Sequence, residues 1–254
     1  MVQLSIDWAS YFNFAGLGEN IKEHAIFLAE FAGIVAGIIL LAYLAELLIR
    51  RKTKPTEKIL STRKVAGTGI LAAMAGILMT FEFPLLFAPS FYKLDFSELP
   101  VLICGFAYGP VAGVLCEAVK ILVKLVIKGT GTAFVGELAN FVVGCFLVLP
   151  ATIIYHTHRT KKRALIGCIV GTVCITVAGP VFNAVYLLPT FATMWGCDLS
   201  YFIAEGTKKV SAVNNLTTFV ILCVAPLNLI KGVAVSAVTM LIYQPLRPLL
   251  KKNM

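Results

Sequence analysis

Residues 81–110 read FEFPLLFAPSFYKLDFSELPVLICGFAYGP. A hydrophobic helix breaks at Pro84 into an aromatic, proline-bearing loop that holds Lys93, Asp95 and Glu98, and a second apolar run closes on Gly109-Pro110. Membrane proteins keep irregular, charged backbone between apolar runs where it lines or covers a cavity. The loop is therefore expected to form part of a binding site.

Of 254 residues, 59% are hydrophobic and only 14% charged, with mean hydropathy +0.88, whereas an ordinary soluble domain is roughly 25% charged. Several apolar runs approach the roughly 20 residues that a helix needs to cross about 30 Å of hydrocarbon, and the alternation of barrel strands is absent. The expected fold is an all-α integral membrane protein without a soluble domain. A net charge of +9 could suit nucleic acid, but the position of the charges reads as topology instead. Arg50, Arg51, Lys52, Lys54, Lys58, Arg63 and Lys64 fill one linker; Arg159, Lys161, Lys162 and Arg163 fill another; Arg247, Lys251 and Lys252 end the chain. All three clusters, and the C-terminus with them, are expected on the cytoplasmic side.

The first span, Ile26 to Ile49, precedes the basic linker, which places residues 1–25 outside with Trp8, Tyr11, Phe12 and Phe14 at the interface. No basic n-region or cleavage motif precedes it, so this helix is expected to insert by itself without a cleavable signal peptide. A second span, about Val65 to Phe83, brings loop 84–97 to the outer side. The 31 positions from Glu98 to Lys128 give only about 46 Å of helix, little for two crossings. A single crossing, however, would turn the basic run at 156–163 outward. Two crossings are therefore expected, the first a short helix over 98–108 with Gly109-Pro110 as its turn. Segments 133–155 and 164–188 follow, then a long outer loop from Pro189. The last span is expected to start at Pro226, because proline favours the first helical position, and to run to about Gln244. Asn215–Ala225 reads as a separate re-entrant or outer-surface piece. One extra N-terminal helix thus precedes a six-helix domain, with boundaries at 1–59 and 60–254.

Several polar residues fall within apolar segments. Asn228 and Lys231 share one helix face near a positive dipole end and could present donors to ligand oxygens, or could cap backbone and snorkel. Asn183, Glu137 and Asn140 lie at the same outer level; Glu137 reads as a helix-to-helix hydrogen-bonding group, and Asn183 as a ligand contact whose amide offers donor and acceptor side by side. Glu117, Lys120, Lys124 and Lys128 form one stripe, read as a Glu117–Lys120 pair with the outer two lysines rising to headgroups. Asp95 and Glu98 have the spacing of a capping box. That leaves Phe87, Phe91, Tyr92 and Lys93 as a lid or an interfacial belt.

Small-xxx-small pairs, Gly69/Ala73 and Ala72/Gly76 in the second helix and Gly167/Gly171 further on, suit close helix contact, either internal or with a partner. Seven cysteines without a CxxC pair support neither a disulfide framework nor a zinc site. His156 and His158 alone are a weak metal signal. No phosphate-binding GxxxxGK[ST] loop is present, and no nucleophile, base and orienting group are arranged for catalysis.

In order along the chain, FAPSFYKLDFSELP, GFAYGPVAGVLCEAVK, GTGTAFVGELANF, FNAVYLLP and APLNLIKG resemble the riboflavin-specific S components of energy-coupling factor (ECF) transporters over roughly residues 60–250. The resemblance implies a six-helix subunit that binds a vitamin near the outer face, without a cofactor, and docks on a separate module. That module comprises a membrane T protein and two ATPases, so the chain needs no phosphate loop of its own. It further implies that Asn183, Asn228 and Lys231 hold the polar edge or ribityl oxygens of the flavin beneath the 84–97 loop. The expected ligand set is completed by Asn140, Phe87, Lys93, Leu94 and Tyr186. The small-residue face of the second helix, Gly69, Ala72, Ala73 and Gly76, would meet the T protein. Residues 1–59 depart from the family pattern, and the long outer segment 189–225 leaves another vitamin or a flavin nucleotide as an alternative ligand. A membrane enzyme using His156 and His158 is the remaining alternative.

Overall fold

The computed structural model describes residues 25–53 and 58–252, with the side chains of 243, 244 and 246–252 left aside. The expectations for Trp8, Tyr11, Phe12, Phe14, Lys54 and the C-terminal basic side chains lie outside the described residues. Helix α1 (Ala25–Thr53) leads to α2 (Thr62–Thr80), which Ser61 starts by accepting a hydrogen bond from the Lys64 amide at 3.4 Å. After α2 the chain forms a two-residue hairpin, β1 (Phe83–Pro84) against β2 (Lys93–Leu94), with Phe83 opposite Leu94. Pro84 sits on this edge because a proline cannot donate to a central ladder.

The short helix is present as α3 (Glu98–Tyr108). Gly109 turns the chain at φ 121°, a conformation open to glycine, and Pro110 begins α4 (Pro110–Lys128) at once. Helix α5 covers Val135–Thr157, and α6 (Lys161–Phe182) returns antiparallel to it. The Gly167/Gly171 pair serves this internal contact. A Cβ at either position would come within 2.5 Å of the carbonyl oxygen of Ala151 or Leu147, so only glycine lets α6 approach α5 this closely.

Two boundaries differ from expectation, and prolines explain both. Helix α6 does not end at 188: it passes through a π-helical turn, Asn183–Leu187, into α7 (Leu188–Trp195). Likewise, Asn215–Ala225 is no separate piece. Helix α9 (Leu216–Phe219), a π turn at Val220–Val224 and α10 (Ala225–Lys252) form one continuous rod, capped by Asn215 accepting from the Thr218 amide at 2.8 Å. Pro189 and Pro226 each lack the amide that an α-helix would use at that point. A wider turn placed just before each proline lets the helix continue. Between the rods comes α8 (Leu199–Lys209), with Phe202 buried.

Among the described residues, four helical stretches are long and apolar enough to cross a membrane: α1, α5, Lys161–Trp195 and Leu216–Ile242. With α2, α3 and α4 they make a six-helix membrane bundle plus the additional α1. That helix packs on α4 and α5. Phe27, Phe31, Ala42 and Glu46 are buried in this contact and Ile34, Val35, Ile38 and Ile39 partly so, beside an apolar cavity of about 360 Å³ lined by Leu28, Val35, Ile39, Ile121, Leu125 and Phe141 among others. Glu46 Oε2 accepts the Val111 amide at 3.1 Å, and Arg50 steadies the other oxygen at 3.2 Å. The carboxylate thus satisfies a first-turn amide of α4, which the glycine at its N-cap position has no side chain to reach. Glu46→Ala should therefore destabilise the fold by about 1 kcal/mol, read as a lower thermal midpoint in detergent; an unchanged midpoint would reject this cap.

Candidate functional site

At the end of the bundle opposite the Gly109 turn, loop 85–92, α5, the π turn before α7 and the first turns of α10 surround a hollow of about 100 Å³. The hollow is lined by Phe91, Tyr92 and Lys93 of the loop, Thr132, Gly136, Ala139, Asn140 and Val143 at α5, Asn183, Leu187 and Phe191, and Val224, Leu227, Asn228 and Lys231. Asn140, Asn183, Asn228, Lys231 and Lys93 therefore meet there. Phe87, Leu94 and Tyr186 do not line it. Leu94 is committed to the hairpin, and Phe87 lies half-buried in the loop. Tyr186 is one residue, about 100° of helix rotation, away from the lining Leu187. It stacks on Phe182 and donates to Glu30 of α1 at 3.1 Å.

The other lining residues follow helical spacing from those already singled out: Gly136, Ala139, Asn140 and Val143 on one face, and Val224, Leu227, Asn228 and Lys231 on another. Extending Asn140 and Lys231 along their faces would have found them. Leu187 and Phe191 likewise stand four and eight places after Asn183, whereas Thr132 carries no such signal.

Asn183 is bonded at both its oxygen and its nitrogen, accepting from the Tyr92 hydroxyl at 2.6 Å and donating to the Gly179 carbonyl at 2.9 Å. Asn140 donates to the Gly136 carbonyl at 2.9 Å. Asn228 differs. It is 3% exposed, it lines the hollow, and among the described residues its amide has no hydrogen-bond partner. Gly179 makes room for it, since a Cβ there would lie 2.3 Å from Asn228 Nδ2. The polar atoms of Asn228 are not sealed off, since the buried side-chain atoms left without a partner among the described residues are Glu117 Oε2 and Thr239 Oγ1, so the amide is open to a ligand in the hollow.

Lys231 does not snorkel. Its ammonium bridges Asp95 Oδ2 at 3.2 Å and Glu98 Oε2 at 2.9 Å. The expected capping box is accordingly absent: Asp95 accepts the Ser97 amide at 2.8 Å in a local turn, and Glu98 turns inward. Burial in a bundle that already holds two lysines draws both acids away from the helix end. The stripe on α4 is also mostly paired. Glu117 binds Lys120 as expected, but Lys124 pairs with Glu137 and Lys128 with Glu82, so neither outer lysine is left to headgroups alone. Glu137, accepting also from Thr130 and Thr132 at 3.0 Å, holds the turn before α5, where Ala133 and Phe134 sit at positive φ. Such strain gathers at binding sites, held by its surroundings.

The loop is clamped over the hollow from both sides. Phe91 packs edge-on against Phe202 at 5.6 Å and Trp195 at 6.4 Å, and Tyr92 lies 6.1 Å from Phe219. At the hairpin base Glu82 receives Lys93 at 2.7 Å and Lys128. On α2, Ala72 and Gly76 face inward, Gly76 against Val123, so these two cannot contribute to an outer contact. Gly69 and Ala73 lie on the exposed face with Val65, Ile70, Met74 and Ile77. His156 is buried against the Gly105 carbonyl at 2.9 Å rather than poised as a base.

A membrane-embedded helix bundle with a small, lidded, polar-floored hollow at one end is a binding subunit for a small molecule. The family model for the ECF transporter, substrate-specific component, matches residues 63–243, and this chain belongs to that family. It is therefore a multi-pass membrane transport component and not an enzyme. Among similar proteins are the riboflavin transporter FmnP of Bacillus subtilis, 29% identical over 76% of this chain and 97% of that protein, and the riboflavin transporter RibU of Streptococcus thermophilus, 34% identical over 76% of this chain and 86% of that protein. A solved S component of a bacterial ECF transporter superposes with TM-score 0.59 at 30% identity, covering 74% of this chain and 98% of that one. Helix α1 precedes the matched residues.

Burial would raise the Glu82 carboxyl, but hydrogen bonds from Lys128 and Lys93 hold it below the ordinary 4.5. A depressed carboxylate contributes stability that is present above its unfolded value and lost as pH falls through the folded one. Hydrogen exchange of loop 85–92 should therefore speed up as pH falls below about 4.5, after correction for intrinsic rates, and Glu82→Gln should remove that pH dependence. A loop equally protected down to pH 3 would count against the clamp.

Proposed function

We propose that this chain captures riboflavin at the outer face of a bacterial plasma membrane and passes it inward, driven by a separate T protein and two ATPases. The carrying observation is Asn228, which lines the hollow and whose amide has no hydrogen-bond partner among the described residues. A flavin's pyrimidine edge alternates donors and acceptors as an asparagine amide does. Phe91, Tyr92 and Phe191 supply aromatic wall for the flat ring system, and Lys231 supplies a donor. The names of the relatives agree with this ligand.

The closed hollow of about 100 Å³ is below the 300–1,000 Å³ of drug-sized sites. On this reading the Tyr92 turn lifts to admit the ring, and the ligand takes over the contact that Tyr92 now makes with Asn183. Both lysines that could meet a phosphate are already paired, Lys93 with Glu82 and Lys231 with two acids. This favours the neutral vitamin over a flavin nucleotide.

Orientation follows from charge. Arg50, Arg51, Lys52, Arg63 and Lys64 meet Arg159 and Lys161–Arg163 at the end opposite the hollow. By the positive-inside rule that end is cytoplasmic. Residues 60–254 then form the substrate-binding unit and 1–59 an extension, with the N-terminus outside. The exposed small-residue face around Gly69 and Ala73 is the proposed contact for the T protein.

Protein purified in detergent should show a flavin absorbance spectrum, or acquire one on adding riboflavin, and Asn228→Ala should weaken that binding by about 1–3 kcal/mol. Folded protein that neither carries nor quenches the fluorescence of added riboflavin would overturn the reading. Unchanged affinity in Asn228→Ala would remove that residue from the site.

A further inference from the structure

Five charged side chains from four places in the chain are buried together beside the hollow: Asp95 of the loop, Glu98 of α3, Glu117 and Lys120 of α4, and Lys231 of α10. Lys231 alone among them lines the hollow. Its ammonium binds Asp95 at 3.2 Å and Glu98 at 2.9 Å. Glu98 divides its oxygens, giving Oε2 to Lys231, and to the Ser97 hydroxyl at 3.4 Å, and Oε1 to Lys120 at 3.2 Å. Lys120, 0% exposed, is held on its far side by Glu117. The Glu117 carboxylate in turn occupies space left by Gly144 of α5, where a Cβ would stand 2.3 Å from its Oε1.

We infer that Lys120 is a positioning residue for the ligand site, acting on Lys231 through Glu98; this rests on the proposed binding of a flavin at Lys231. An ammonium has three protons to donate. Asp95 and Glu98 take two from Lys231, which leaves one for the hollow. That division depends on Lys120, because it claims one Glu98 oxygen and fixes how the carboxylate is turned. Without Lys120, both oxygens of Glu98 compete for Lys231, and the ammonium is drawn towards α3 and away from the ligand. A purely stabilising role explains the cluster poorly, since buried ion groups are often matched in stability by apolar side chains of similar volume.

The test uses the full-length chain and riboflavin, with flavin fluorescence quenching to read affinity and a thermal midpoint on the same samples. Glu117→Gln with Lys120→Met removes one anion and one cation together, leaving the net buried charge unaltered. This pair should weaken binding about tenfold, or ~1.4 kcal/mol. In a Lys231→Met background the same pair should cause no further loss of affinity, because its route to the ligand is gone. Gly144→Ala keeps all five charges and only crowds Glu117; it should weaken binding in the same direction, again only while Lys231 is present, and it decides the matter if the double variant does not fold.

Affinity within twofold of wild type in folded variants would overturn the inference. So would an undiminished loss in the Lys231→Met background, which marks a general structural effect. Wild-type affinity in Lys231→Met alone would remove Lys231 from the site and the inference with it. Failure of the wild-type chain to bind riboflavin is a different outcome, which overturns the functional reading first.

Discussion

A single buried ammonium joins the parts on which the site depends. Lys231 comes from the last helix, Asp95 from the loop and Glu98 from the short helix α3, more than 130 residues away in sequence, and their ion pairs lie inside a membrane bundle. There, a charge without a partner is expensive. The three elements must therefore meet in one arrangement, or carry unpaired charges into hydrocarbon. The loop is tied at its C-terminal end by this cluster and at its base by Glu82, and the Phe91–Tyr92 turn between these anchors is held by aromatic packing and the Tyr92–Asn183 bond.

The irregular backbone near the hollow obeys the same rule that keeps loops out of lipid. Two π turns, Asn183–Leu187 and Val220–Val224, precede Pro189 and Pro226, pack against each other and give Asn183, Leu187 and Val224 to the hollow. A turn with Ala133 and Phe134 at positive φ lies between the lining residues Thr132 and Gly136. Each departure from regular helix shifts the register of the following residues. At Asn183 the shift accompanies the inward turn of Leu187 and Phe191 while Tyr186 swings out to α1. Backbone irregularities thus adjoin the hollow as well as side chains.

Helix α1 lies outside the residues that match the family, yet it is bonded into the bundle at both ends, through Tyr186–Glu30 and through the Glu46 cap of α4. Two acids that look isolated in a long apolar helix are thereby explained. Each finds a partner across the interface, and the apolar cavity lies between them.

Much of this was legible along the chain. Hydropathy and run length define a helical membrane protein, because a spanning segment must satisfy its own backbone. The short α3 and the Gly109-Pro110 turn follow from parity, charge placement and the conformational limits of those two residues. The Glu117–Lys120 pair follows from helical spacing. Beyond that reach lay the pairing of Lys231 with Asp95 and Glu98, the Tyr92–Asn183 bond, the inward turn of Ala72 and Gly76, and the continuity of the last helix through Pro226. A local pattern can state what a residue is able to bond. Which partner it bonds is decided by the groups that packing brings within 3 Å, and those come from helices whose order in space is not written in their order along the chain.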